Sequence, residues 1–362
     1  MMETGKTPTS VVLNVSFYRF SPIDNPVELR DLIRSHVAEN SSYSLLRGTI
    51  ILTPEGINAY FAGPESAVRQ FLDNEIFPVA GFGGITPKES WSATNPFRKF
   101  VIKNKAEAIG LGDSELDPTV ETGSYLSPAE FKAWLDRPER DFILVDTRND
   151  YEVELGTFEG AINPKIATFK EFPNWVHEHL GDAKDKKIVT FCTGGIRCEK
   201  ATALMMKQGF HDVYQIDGGI LKYLEETSSC KDQNHWNGDC FVFDQRVAVD
   251  KELKPTDRTL CYACWHVLEP DECTDPRTVH GESCPYCYEH VQKRKHEHEQ
   301  RMRARLAERH ARGREKGLKA RLAYEAAKAA EALTYDAAKA AEAQIFEAPK
   351  TANAAQPQAT AP

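Results

Sequence analysis

No stretch of this 362-residue sequence approaches the roughly 20 consecutive apolar residues that a membrane span needs. The first ten residues, Met1 to Ser10, are polar and lack the apolar core of a secretory leader. Both absences lead to the expectation of a cytoplasmic protein that does not enter a membrane. That location argues against a disulfide framework, so the nine cysteines read as metal-binding or catalytic. No flavin, haem or facial-triad iron signature is present. Net positive charge is also lacking overall, at −9, but that sum hides an asymmetry. Residues 293–321 hold twelve Lys/Arg against four Asp/Glu, a local basic excess. A basic segment on an otherwise acidic chain is where a nucleic acid would dock.

What the sequence does contain centres on Ile188-Val-Thr-Phe-Cys192-Thr-Gly-Gly-Ile-Arg-Cys198. The apolar run Ile188 to Phe191 predicts a buried strand, and Cys198 to Gln208 predicts a helix. Cys192 stands between them, followed by Thr193, Gly194, Gly195 and Ile196. Backbone N–H groups of such a loop and the positive end of the helix converge on the sulfur. Arg197 adds a fixed charge. Both favour thiolate over thiol, and the thiolate is the nucleophile. A buried, inert cysteine would need neither the glycines nor the arginine.

The rest of the chain falls into an α/β arrangement around this stretch. Residues 10–110 read as strand, helix, two strands in a hairpin, helix and a last strand at Phe97–Ile102, the ferredoxin-like βαββαβ order. In the first helix, Val27, Leu29, Leu32, Ile33 and His36 fall near one face. Arg98, Lys99, Lys103 and Lys105 read as a solvated face or an RNA contact. Residues 110–123 read as a linker. In residues 124–228 strands alternate with helices, which implies a parallel sheet with its ligand beyond the strand C-termini. Ser127-Pro128-Ala129-Glu130 is a helix start. Asp146 and Arg148 follow the strand Phe142–Val145 and are read as orienting the cysteine loop. Residues 229–292 carry Cys261-x2-Cys264 and Cys284-x2-Cys287, a spacing that suits a four-thiolate zinc site, with Cys273 or His266 as substitute ligands. Cys230 and Cys240 read as packing residues. Residues 293–347 form a basic, then alanine-rich, helical tail in which Tyr324–Leu333 is echoed by Tyr335–Gln344. Residues 348–362 are expected to be disordered.

Several motifs in one order carry a family resemblance. Asp146-x-Arg148-x3-Glu152-x3-Gly156-x3-Gly160-Ala161, Cys192-x4-Arg197 and Asp217-Gly218-Gly219 resemble a rhodanese domain, with Thr157 where many members have a histidine. Together with Glu55-Gly56-Ile57-Asn58, Cys192-Thr-Gly-Gly-Ile-Arg-Cys198-Glu199 and Cys240-Phe-Val-Phe-Asp244, they resemble the bacterial tRNA uridine hydroxylases. The resemblance implies oxygen-dependent formation of 5-hydroxyuridine at the wobble position, with molecular oxygen as co-substrate and the anticodon loop of tRNA as partner. Cys192 would then be the catalytic thiolate, Arg197 the stabiliser of developing charge and Cys198 a resolving or redox-coupled thiol. Two other readings stand beside it: a sulfurtransferase carrying a persulfide on Cys192, and a noncatalytic RNA-binding adaptor. Phosphate chemistry ranks last, because the loop is C-x4-R rather than C-x5-R.

Overall fold

The computed structural model describes residues 12–79, 81–113, 115–228 and 234–346. The first segment comprises β1 (Val12–Phe20), α1 (Pro26–Glu39), β2 (Arg47–Thr53), β3 (Gly56–Pro64), α2 (Glu65–Phe71), β4 (Lys88–Ser92) and β5 (Phe100–Asn104). Its sheet runs β4-β1-β3-β2-β5, antiparallel except for β2 and β5. Strands β1 to β4 with the two helices give the expected ferredoxin-like order. The fourth strand is a correction. Of the Phe97–Ile102 stretch only Phe100–Ile102 is strand, and it belongs to β5, an addition on the opposite edge, while the polar Lys88-Glu-Ser-Trp-Ser92 pairs with β1. A half-exposed edge strand has no apolar run to announce it. In α1, Leu29, Ile33 and Val37 pack on the sheet core, but Val27 and Leu32 are about half exposed. One stripe at i, i+4 and i+8 is enough to seat the helix, and those two residues lie outside it.

The central segment comprises β6 (Ser124–Leu126), α3 (Pro128–Leu135), β7 (Phe142–Asp146), α4 (Asp150–Val153), β8 (Gly156–Phe158), α5 (Phe172–Leu180), β9 (Lys187–Phe191), α6 (Ile196–Lys207), β10 (Val213–Ile216) and α7 (Gly219–Glu226). Four of the strands form a parallel sheet in the order β6-β10-β9-β7. Ser127 and Glu130 close the reciprocal cap that starts α3. The stretch read as a linker is packed rather than loose, since Leu111 and Leu116 are buried in the central core. Helix α6 is buried from Arg197 to Met205. Its charged residues must therefore find partners inside the protein.

The third segment comprises β11 (Trp236–Gly238), β12 (Cys240–Phe241), β13 (Ala248–Val249), β14 (Thr259–Leu260) and β15 (Val267–Leu268). Strand β11 pairs with β8, and Trp236, Cys240, Val242 and Val249 are buried with the central core. Cys240 is thus a packing residue, while Cys230 lies outside the described residues. Helix α8 (Tyr288–Phe346) forms a separate unit. At about 1.5 Å per residue its 59 residues extend roughly 90 Å. Its described side chains from Lys293 onward are exposed, with i,i+4 pairs such as Glu308–Arg312 and Glu315–Lys319. The end expected to be disordered, 348–362, lies outside the described residues. No described helix is long and apolar enough to cross a membrane.

Candidate active site

Strand β9 delivers Cys192 to the C-terminal edge of the parallel sheet, and α6 begins four residues later. The turn between them depends on two glycines. Gly195 has φ +100°, and its N–H donates to Cys192 Sγ at 3.1 Å. Gly219, with φ +65°, lies directly under the loop: a Cβ there would come within 2.4 Å of the Cys192 carbonyl oxygen. The N–H groups of Ile220 and Leu221 donate to the carbonyls of Cys192 and Thr193. The Asp217-Gly218-Gly219 motif is therefore the floor on which the cysteine loop rests.

The electrostatics favour a thiolate. Burial pushes the Cys192 thiol up. A hydrogen bond from Cys198, the Arg197 charge and the backbone N–H groups of Arg197 and Cys198 outweigh burial and bring it down to about 6. Cys198 moves the other way, raised by burial and by its bond to Cys192, so the shared proton stays on Cys198. Its sulfur also lies 3.7 Å from Thr147 Oγ1. Arg197 does not stand alone beside the loop: Glu152 grips its guanidinium at 2.6 and 2.7 Å. Behind them, buried Arg148 makes a two-pronged pair with Asp146 at 2.9 and 2.6 Å and donates to the Gly156 carbonyl. Thr157, in the position where a histidine is common, donates to Asp146 at 2.9 Å. Gly194 has no atom near its added Cβ, and Ile196 opens α6. The Thr193 hydroxyl is buried and has no hydrogen-bond partner among the described residues. It is a polar group left available inside the loop.

The site is also walled from the first segment, which the sequence did not indicate. Tyr18 on β1 donates to Glu199 at 2.9 Å, and its hydroxyl lies 2.8 Å from where a Cβ on Gly195 would be. Burial, then the charges of Glu199 and Cys192, push the Tyr18 phenol well up. Tyr125, Thr122 and Gln215 also donate to Glu199. Next along α6, fully buried Lys200 is held by Glu55 at 2.8 Å and Glu107 at 2.7 Å. Two adjacent residues of the helix behind the nucleophile thus bind the two segments together.

The chain matches a UPF0176 acylphosphatase-like domain over residues 12–108 and a rhodanese-like domain over residues 127–226. A tRNA uridine(34) hydroxylase of Mesorhizobium japonicum is 41% identical over 79% of this chain and 90% of its own length. One of Acinetobacter baylyi is 46% identical over 76% of this chain and 84% of its own length. The chain belongs to the tRNA uridine(34) hydroxylase family. Among solved structures, a rhodanese-like domain protein of Staphylococcus aureus is 22% identical over 28% of this chain and 90% of that one, with a TM-score of 0.23.

As a member of the hydroxylase family, the chain has one further feature to account for. Cys261, Cys264, Cys284 and Cys287 each offer a sulfur, and these lie within 4.8 Å of one another. The contacts of 3.6 to 3.8 Å between them match the edge of a tetrahedron whose metal–sulfur bonds are about 2.3 Å. Cys273 and His266 stand apart from this set: Cys273 bonds Thr259 and the Glu269 carbonyl, and the His266 ring packs at a tilt against Tyr286. The residues missed by sequence reading are Tyr18, Tyr125, Glu199 and Lys200. Glu199 stood in the motif that carries the family resemblance, and Lys200 had a signal of its own, because a lysine following a helix-start glutamate on a mostly apolar helix needs a buried partner.

Proposed function

We propose that this protein hydroxylates the wobble uridine of tRNA in the cytoplasm, with Cys192 as the nucleophile and molecular oxygen as co-substrate. The observation that carries the reading is the Cys192 sulfur at the end of β9, which accepts from the Gly195 N–H at 3.1 Å and is held below the usual thiol range, against its burial, by Cys198, the Arg197 charge and the loop N–H groups. In the proposed path the thiolate forms a bond to carbon 6 of uracil, and the ring's double-bond electrons move toward the carbon 4 carbonyl. Arg197 and the loop N–H groups stabilise that negative charge. Carbon 5 then takes an oxygen atom from a peroxide-level donor, whose other oxygen leaves in its reduced form. Molecular oxygen reaches that level with two electrons from an external reductant. Loss of the carbon 5 proton and expulsion of Cys192 restore the double bond. Cys198 keeps its proton and acts as the hydrogen-bond donor that holds Cys192 ionised. Asp146 and Arg148 brace the end of β7, which pairs with the end of β9 from which the loop departs.

Zinc is the metal that best suits the four-sulfur set, since it needs only thiolates in a tetrahedron and no redox change. It would fold the small lobe rather than join the reaction. The basic part of α8 is proposed to contact tRNA phosphates.

The test is mass spectrometry of tRNA nucleosides from a strain lacking the gene. Wild-type protein restores 5-hydroxyuridine derivatives, whereas Cys192→Ala restores none. Equal restoration by both proteins would remove Cys192 from the reaction. No restoration by either would leave persulfide transfer as the better account.

A further inference from the structure

We infer that Phe243 and Trp265 form a stacking platform for the unpaired bases that flank the target uridine. The inference rests on the hydroxylase reading for the identity of the RNA. It is carried by an aromatic row that the chemistry above leaves unused. The row begins at the site: the Arg197 guanidinium carbon lies 5.8 Å from the centre of the Phe243 ring. Phe243 packs edge-on to buried Phe241 at 5.1 Å, Phe241 packs edge-on to Tyr151 at 5.2 Å, and Tyr151 lies 6.2 Å from Trp265. Of the inner rings, Phe241 is buried and Tyr151 partly so. The two outer ones, Phe243 and Trp265, are each 50% exposed.

Exposing two large rings beside a reactive loop costs solvation energy, and the fold holds both in place. Trp265 has φ +66°, a left-handed backbone that a bulky residue rarely adopts. It is held there by hydrogen bonds between its own N–H and the Cys261 carbonyl, and between the Cys261 N–H and the His266 carbonyl. The four-cysteine lobe therefore has a task at the site: it fixes a tryptophan next to Tyr151. Phe243 sits in a turn tied to the first segment, since the Gln245 N–H donates to the Pro96 carbonyl and Arg246 donates to Ser90. Two and three residues beyond Pro96, Arg98 and Lys99 are exposed and make no ion pair among the described residues.

Braced, half-exposed rings, on a turn tied to the segment that carries Arg98 and Lys99 and continuous with Arg197 of the cysteine loop, fit a single RNA strand. The bases stack on the rings and the backbone lies toward the cations. An apolar peptide would have no use for the continuity with Arg197. Splaying the flanking bases onto the platform would leave the target base free to enter the loop.

The experiment is fluorescence anisotropy of a labelled anticodon stem-loop RNA, with uridine at the wobble position, titrated with the full-length protein. Phe243→Leu and Trp265→Leu keep apolar bulk but lose the ring, and each should weaken binding about five- to a hundredfold. Phe243→Tyr and Trp265→Phe should bind like wild type. Replacing the flanking nucleotides with abasic ones should weaken wild-type binding and erase the difference between wild type and the leucine variants. Thermal melting and the Cys192 alkylation rate report whether the leucine variants keep the fold and the loop. If they do not, the abasic RNA with wild-type protein decides alone. Leucine variants that bind like wild type overturn the platform, as does a wild-type protein indifferent to abasic substitution. Failure of the hydroxylase reading is seen separately, as wild-type protein that restores no 5-hydroxyuridine.

Discussion

At the scale of single residues, the decisive feature is the division of one proton between two cysteines. Cys192 is drawn down to about 6 and Cys198 is pushed up, because one buried sulfur donates to the other and only one of them faces Arg197 and the loop N–H groups. A thiolate reacts and a thiol does not, so alkylation of Cys192 should rise with pH through about 6 and level off above it. Arg197→Gln removes a charge that favours the thiolate, so the midpoint should move to higher pH. Peptide mass spectrometry of iodoacetamide-treated protein at a series of pH values measures both. Lys200 offers a second test. It is fully buried between Glu55 and Glu107, and Lys200→Met leaves two poorly solvated carboxylates without their cation. A loss of about 3 kcal/mol is expected, read from the urea midpoint.

At the scale of elements, two loops and one small lobe define the site. The loop that starts at Cys192 is shaped from below by Gly219, whose added Cβ would meet three backbone atoms of that loop within 2.8 Å. The lobe closed by Cys261, Cys264, Cys284 and Cys287 has only short two-residue strands and a core of few side chains, among them Phe241, Val247 and Val267. So little buried apolar surface cannot offset the ordering entropy of these segments by itself. Purified protein is therefore expected to carry one zinc ion per chain by elemental analysis. Cys284→Ser should lose it and expose the lobe to proteolysis, while the parallel sheet stays folded.

At the scale of the whole molecule, the chain is a packed body ending at Cys287 and a separate helix, α8. The body is acidic overall and the first half of the helix is basic, with twelve Lys/Arg against four Asp/Glu between residues 293 and 321. A protein truncated after Cys287 should bind tRNA more weakly. The slope of its log affinity against log salt should be shallower, because fewer phosphate counterions are released. Filter binding across a salt series measures it. An unchanged slope would mean that the helix does not touch the RNA.

Much of this was legible in order along the chain. The cysteine loop, its Arg197, the parallel sheet beneath it, the capped start of α3 and the paired cysteine knuckles all follow from local patterns. Strand period, loop glycines and ligand spacing are properties of a few neighbouring residues, so the sequence alone determines them. The polar edge strand β4, the packing of Leu111 and Leu116, and the partners of Arg197 were not legible in this way. Nor were the approach of Tyr18 to the loop, the seat of Lys200 between two glutamates, or the row from Phe243 to Trp265. Each of these joins residues far apart in sequence, from Tyr18 to Glu199 and from Glu55 to Lys200. Only the tertiary structure decides them, because burying α6 forces its charged residues to find partners wherever the packed fold supplies them.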